Sequence, residues 1–219
     1  MPDAAPARTL VIETATAACS VALVEGGAVI DRRHAVVGRG HAERLVPMIA
    51  ELAGGGRAAR ILVDVGPGSF TGVRVGIAAA RGLALGWGAE VAGCSSLAMV
   101  AAAALARRAS SDVAVVLEGG HGEVFMQPFS HHLAPLAPLA SLAPPAALAA
   151  LDGRRAVGNG VRFLLALDPA IDAEEALPDA ADAVLLPAAL AALPPRPLYG
   201  RAPDAKLPAA RLPAGAGPR

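Results

Sequence analysis

The chain has 219 residues, enough for one large domain or two smaller ones around a substantial core. Nineteen Lys and Arg balance nineteen Asp and Glu, and aromatic residues make up only 3%. Neither a phosphate-neutralising surplus nor a supply of base-stacking rings therefore argues for autonomous nucleic-acid binding.

Residues 9–13 (TLVIE) read as a strand with an acidic end, and residues 20–25 (SVALVE) as its returning partner. Gly26-Gly27 is a two-residue hairpin signal leading to a third strand at residues 28–37. Leu45, Met48, Ile49 and Leu52 have helical spacing within residues 41–52, and Pro47 predicts a kink or a start near Arg44. Residues 61–65 form a buried strand that empties into Gly66-Pro67-Gly68-Ser69. A helix capped by Ser69 or Thr71 then runs to about Leu85, where Gly86 and Gly88 end it. A strand at residues 90–94 and a helix capped by Ser96 and running to Arg107 complete two parallel crossovers.

The second half repeats the opening: strand 113–118 (VAVVLE) ends on an acid, Gly119-Gly120-His121-Gly122 turns, and residues 123–129 return. A Leu/Ala/Pro-rich connection over 131–151 leads into a short helix at 145–151, and residues 155–158 suggest one more strand. Eight prolines from Pro187 onward argue against packed regular structure, and the last dozen residues read as disordered. The division expected is a first lobe over 1–108, a second over 109–200 and a tail over 201–219.

Cys19 and Cys94, the two cysteines, give neither a disulfide framework nor zinc-ligand spacing. The N-terminus lacks the order of a signal peptide, and glycines and serines break the longest weakly charged run. A soluble, cytoplasmic protein without a membrane span is expected. The glycine turn fits neither the G-x-G-x-x-G fingerprint nor a Walker A loop nor a nucleophile elbow. No catalytic residue is assigned. His41-Ala42-Glu43 and the neighbours His131-His132 lack metal-ligand spacing, so no metal site is assigned either. Glu13-Thr14 and Glu118-Gly119 are two acidic strand ends beside turns, the arrangement by which folds of two related halves hold nucleotide. The long helix has an unusual face, since Gly72, Gly76 and Ala80 follow one another at intervals of four. Such a face suits either close packing on the protein's own sheet or close approach of a partner, with Arg74 and Arg81 on another side.

IETATAACSVAL, HAERLVPMI, GPGSFTGVRVGIAAARGLALG, GEVF and VGNG, in this order and spacing, resemble the bacterial TsaB (YeaZ) family. The resemblance is close over about residues 9–130 and looser beyond. It implies an actin-like, Hsp70-like ATPase fold (ribonuclease H-like), α/β with a mixed sheet and two related lobes, the second reduced. It further implies a non-catalytic subunit of the machinery that makes threonylcarbamoyladenosine beside the anticodon of tRNAs reading ANN codons. The expected partners are the catalytic paralogue TsaD and, through the complex, the ATPase TsaE and tRNA, with a homodimer when the chain is alone. The family's pairing surface matches residues 41–52 and 71–85, which assigns His41, Arg44, Leu45, Met48, Gly72, Arg74, Val75, Gly76, Ala79 and Arg81 to the interface. On that reading Gly76→Leu should abolish the heterodimer and leave the isolated chain folded. No cofactor is expected beyond weak ATP or ADP binding at an interface. Glu13 and Glu118-Gly119-Gly120 depart from the family's Asp and Asp-Ala-Arg, which counts against a nucleotide contact. The competing readings are a small-molecule kinase of the same fold, using Glu13 and Glu118, and, more remotely, a peptidase.

Overall fold

A computed structural model describes residues 7–108 and 111–200. Strand β1 (Thr9–Glu13) lies at the centre of the first sheet, antiparallel to β2 (Ala18–Glu25) and parallel to β4 (Arg60–Asp64). Gly26 and Gly27, both at positive φ, turn β2 into the edge strand β3 (Ala28–Val36), and β5 (Glu90–Cys94) closes the other edge. The order is β3-β2-β1-β4-β5. Helices α1 (His41–Ala50) and α2 (Phe70–Trp87) cover one face. Leu45, Met48 and Ile49 of α1 and Val73, Ile77, Ala80 and Ala84 of α2 meet Leu10, Ile12, Val21, Ile61 and Val63 there.

The second sheet repeats this plan. Strands β6 (Val113–Gly120), β7 (Glu123–Phe129), β8 (Ala140–Leu142), β9 (Arg155–Val157) and β10 (Ala173–Glu174) take the order β8-β7-β6-β9-β10, strand for strand that of the first sheet. Short helices α4 (Pro144–Ala150) and α5 (Val161–Leu165) stand where α1 and α2 stand in the first lobe. Helix α3 (Ser96–Arg107) runs between the sheets. Its Met99 packs with Val11, Ala22 and Leu62 of the first, and Leu97, Val100, Ala101 and Ala104 pack with Val113, Val115, Leu117 and Phe129 of the second. The doubled topology is the two-lobed α/β architecture of the actin-like fold, with short strands and helices reducing the second lobe.

Several expectations change. Helix α1 starts at His41 and runs on through Pro47, with the Glu51 amide still donating to the Pro47 carbonyl at 3.1 Å. Helix α2 passes through Gly86, ends at Trp87 and is capped by Gly88 at positive φ. Ser95, rather than Ser96, caps α3 by accepting from the Leu97 amide at 3.2 Å. The proline-rich stretch after residue 187 is packed as far as Gly200. A short 3-10 helix (Ala188–Ala191) leads to Leu193, which exchanges both backbone hydrogen bonds with Gly93, and the Leu198 amide then donates to the Val65 carbonyl at 2.8 Å. The tail expected to be disordered, 201–219, lies outside the described residues. No helix among the described residues is long and apolar enough to cross a membrane.

Candidate functional site

The register of β2, β1, β4 and β5 aligns Ser20, Glu13, Asp64 and Cys94 in one row at the end of the sheet where the two crossovers leave it. All four are fully buried. Glu13 uses its own carboxylate to satisfy the turn that follows: Oε1 accepts from the amides of Ala15 at 2.8 Å and Thr16 at 3.3 Å, and Oε2 from the Ser20 hydroxyl at 3.4 Å. Asp64 accepts from the Gly66 amide at 2.7 Å and shares a hydrogen bond of 2.7 Å with the Ser96 hydroxyl, which also lies 3.1 Å from the Pro67 carbonyl. Neither carboxylate has a cationic partner among the described residues. Burial raises Glu13 well above the usual carboxylate range, and the neighbouring Asp64 charge adds to it. Burial pushes Asp64 up to about 7. Both carboxyls therefore hold their protons more readily than an exposed acid, and each one's charge resists ionisation of the other.

The glycine-lined face of α2 explains why this row is sealed. A Cβ on Gly72 would run into the Thr14 carbonyl oxygen, one on Gly68 into that of Ala15, and one on Gly76 would lie 2.5 Å from Thr14 Oγ1. Thr14 in turn donates from Oγ1 to the Gly72 carbonyl at 2.8 Å, and the Ser69 amide donates to the Ala15 carbonyl at 2.6 Å. His41 closes the other side, with Nε2 at 2.9 Å from the carbonyls of both Thr16 and Ala18. Only the Nε2–H tautomer or the protonated ring can serve two acceptors. The helix thus seats its bare face on the β1–β2 turn, whose first amides are already occupied. Glu13 and Thr14 cannot take up a phosphate there, which corrects that part of the nucleotide assignment.

The open concavity lies alongside, between the lobes. A cleft of about 990 Å³ is lined from the first lobe by Thr16, Arg39, Ser69, Phe70 and Arg74 and from the second by Glu118, Gly119, His121, Phe125 and Asn159. Glu118 is exposed and tied to Arg162 at 2.8 Å, so Glu13 and Glu118 do not converge as a pair. Asn159, only 7% exposed, accepts from the Glu118 amide through Oδ1 at 3.0 Å, and its Nδ2 has no hydrogen-bond partner among the described residues. Segment 193–200 borders the cleft. Arg74 stacks 3.1 Å over the Phe70 ring and donates to the Tyr199 hydroxyl at 2.7 Å, and Arg81 donates to the Pro195 carbonyl at 2.7 Å. Among the described residues no group of three or more His, Cys, Asp or Glu could hold a metal ion.

The helix layer divides the interface residues expected from the sequence. His41, Leu45, Met48, Gly72 and Gly76 face inward and are buried in the first lobe, so they cannot line a docking surface; the bare stripe meets the protein's own turn rather than a partner. Val75 and Ala79 are half-buried where they pack against the core, whereas Arg44, Arg74 and Arg81 are exposed. The outer surface is made by residues the sequence reading passed over. Leu85 is 89% exposed and Val46 55%, Ala78 is exposed, and a Cβ on Gly82 or Gly86 would meet nothing within 4 Å. Val75, Ala78, Ala79, Gly82 and Gly86 form a second small-residue stripe at helical spacing. It was readable in the sequence once the first stripe had been assigned to the core.

The family model described as TsaD, tRNA N6-adenosine threonylcarbamoyltransferase, matches residues 34–155. The tRNA threonylcarbamoyladenosine biosynthesis protein TsaB of Escherichia coli K12 is 38% identical over 125 residues, 54% of this chain and 53% of that protein. The protein of the same description from Haemophilus influenzae is 37% identical over 123 residues, 53% of this chain and 51% of its own length. The chain thus spans about half the length of these curated relatives. An uncharacterized protein of Mycobacterium bovis is 32% identical over 212 residues, covering 90% of this chain and 93% of that one. Among solved structures, YeaZ from Pseudomonas aeruginosa superposes with a TM-score of 0.74 at 27% identity, covering 88% of this chain and 99% of that one.

Proposed function

The chain belongs to the TsaB (YeaZ) family, and from that premise we propose that it is a non-catalytic scaffold subunit in the formation of threonylcarbamoyladenosine on tRNA. It docks a TsaD-type subunit, which carries the transferase chemistry, and joins TsaE and tRNA through that complex. The docking surface is the solvent side of α1 and α2. The observation that carries this reading is the exposed run of Ala78, Gly82, Leu85 and Gly86 on α2, with Val46 exposed on α1, apolar and low enough for another helix pair to approach closely. The sealed Glu13–Asp64 row supports a supporting rather than a catalytic role, because groups without access to solvent cannot reach a substrate.

Gly82→Arg tests the surface. Its side chain would enter open space on this chain, so the isolated protein should keep its melting temperature to within a few degrees. Co-elution with the cognate TsaD subunit and modification of tRNA in the reconstituted system should be lost. Unchanged co-elution would rule out this surface.

A second reading, ATP or ADP in the inter-lobe cleft, is favoured by the cleft's size and by the Asn159 Nδ2, which has no partner among the described residues, beside Glu118 and Gly119. Calorimetry with Mg-ADP on the wild-type chain and Asn159→Ala measures it: heat lost in the variant supports the site, and no heat from the wild type removes it.

A further inference from the structure

The inter-lobe cleft carries positive charge that nothing within it neutralises. Arg39 and Arg74 line it from the first lobe, and Glu118, the acid that lines it from the second, is already held by Arg162 at 2.8 Å. Arg39 is exposed and has no side-chain partner among the described residues. Arg74 bonds only neutral groups, the Tyr199 hydroxyl at 2.7 Å and the Phe70 carbonyl at 3.4 Å. Asn159 adds a donor from the other wall. It is only 7% exposed, its Oδ1 is taken by the Glu118 amide, and its Nδ2 has no hydrogen-bond partner among the described residues. A buried donor left open costs stability unless something accepts from it.

The same cleft offers little to a metal ion. Glu13 and Asp64 are fully buried beside it, and Glu118 is paired, so no free carboxylate faces the space to orient a cation. The backbone amides next to it are also engaged, those of Ala15 and Thr16 by Glu13 and that of Gly72 by Ser69. Recognition of negative charge therefore falls to side chains. We propose that the cleft binds a small organic anion directly, without a bridging metal ion. Its charge rests on Arg39 and Arg74, one acceptor atom meets Asn159 Nδ2, and a flat apolar body lies among the Phe70, Phe125 and Tyr199 rings. A volume of about 990 Å³ suits such a molecule. Phosphate or carboxylate can supply the charge. The inference rests on the cleft of the second reading above, of which a nucleotide is one case, and adds how the charge is held.

Calorimetry on the full chain in EDTA tests it, with ADP, tripolyphosphate, citrate and uncharged adenosine as probes. At least one of the three anions should bind in EDTA, adenosine should not, and excess magnesium should weaken the binding of a phosphate probe by covering its charge. Arg39→Gln removes a charge at an exposed, unpartnered position and should weaken binding about tenfold. Asn159→Asp keeps an oxygen for the Glu118 amide but replaces the open donor with a negative charge, and should abolish binding. Both variants should melt within a few degrees of the wild type. Binding of tripolyphosphate alone would mark the ligand as a phosphate and of citrate alone as a carboxylate; either would support the site and end the nucleotide reading. Binding of ADP that requires magnesium, or that survives both substitutions unchanged, would overturn the inference and leave the nucleotide reading standing. Failure of all three anions to bind would overturn both, without touching the scaffold reading.

Discussion

The Glu13–Asp64 pair shows acidic residues at neighbouring strand ends serving the fold rather than a reaction. Both carboxyls lie in one row beneath α2, without a cation to neutralise them, and both prefer their protons. The sign of the consequence is fixed by linkage: the native state binds protons that the unfolded chain releases near the ordinary carboxylate range. Stability is therefore fully present below about pH 4 as far as this pair is concerned, and falls as pH rises through about 7. Asp64→Asn should keep the Gly66 amide bond through its carbonyl oxygen and still reach Ser96. Urea denaturation should give midpoints for variant and wild type that draw together as pH falls from 8 towards 4. At pH 8 the variant should be the more stable, by about 2 kcal/mol. Wild-type stability that rises between pH 5 and 8 would contradict the upward shift of the two carboxyls. The same burial lifts the Cys19 thiol to about 11 and Cys94 well above its normal value, so neither thiol is a reactive nucleophile.

Helix α2 marks the boundary of what its sequence discloses. Its strand-turn-helix setting, the Ser69 cap and the tight approach of Gly72 and Gly76 all follow from residue type and spacing. What they approach does not, because the periodicity of small residues identifies a close contact without naming its other side. Thr14 and Ala15 lie more than fifty positions away in the chain and fill that face, so the outward surface falls to Gly82 and Gly86. The same non-local logic hid β10 and segment 193–200. A two-residue strand carries no pattern, and a proline-rich stretch is held by Gly93, Val65 and Arg81 rather than by its own propensity. Substitutions separate the two glycine stripes. Gly76→Leu, expected from sequence to spare the fold, should instead unfold the first lobe, because even its first carbon lands 2.5 Å from Thr14 Oγ1. Gly82→Ala, on the open side, should raise the stability of the isolated chain by about 0.5–1 kcal/mol, the ordinary gain of alanine over glycine inside a helix. Thermal denaturation of the two variants distinguishes the inner face from the outer one. A folded Gly76→Leu protein would return the inner stripe to the partner surface.

At the scale of the whole molecule, two copies of one sheet topology are held together by α3, which leaves no residue of its middle turns free. Fully buried Met99 contacts the cluster under the first sheet, whereas Leu97, Val100 and Ala104 belong to that of the second. Segment 193–200 adds a second tie on the outside, since it pairs with β5 at Leu193 and ends with Gly200 against the Phe125 ring of the second lobe. Neither lobe can shed α3 without exposing its own core, so the lobes should not unfold independently despite their internal repetition. Lobes that hinge about a nucleotide need a compliant connection, and a helix buried on both sides is a stiff one. Calorimetry should accordingly give one transition, with equal calorimetric and van't Hoff enthalpies. Met99→Ala, which opens a cavity on the first-lobe side alone, should lower that single transition by about 3 kcal/mol of stability rather than split it. Two resolved transitions in the variant, with the second-lobe one at the wild-type temperature, would mean that α3 belongs to one lobe and merely touches the other.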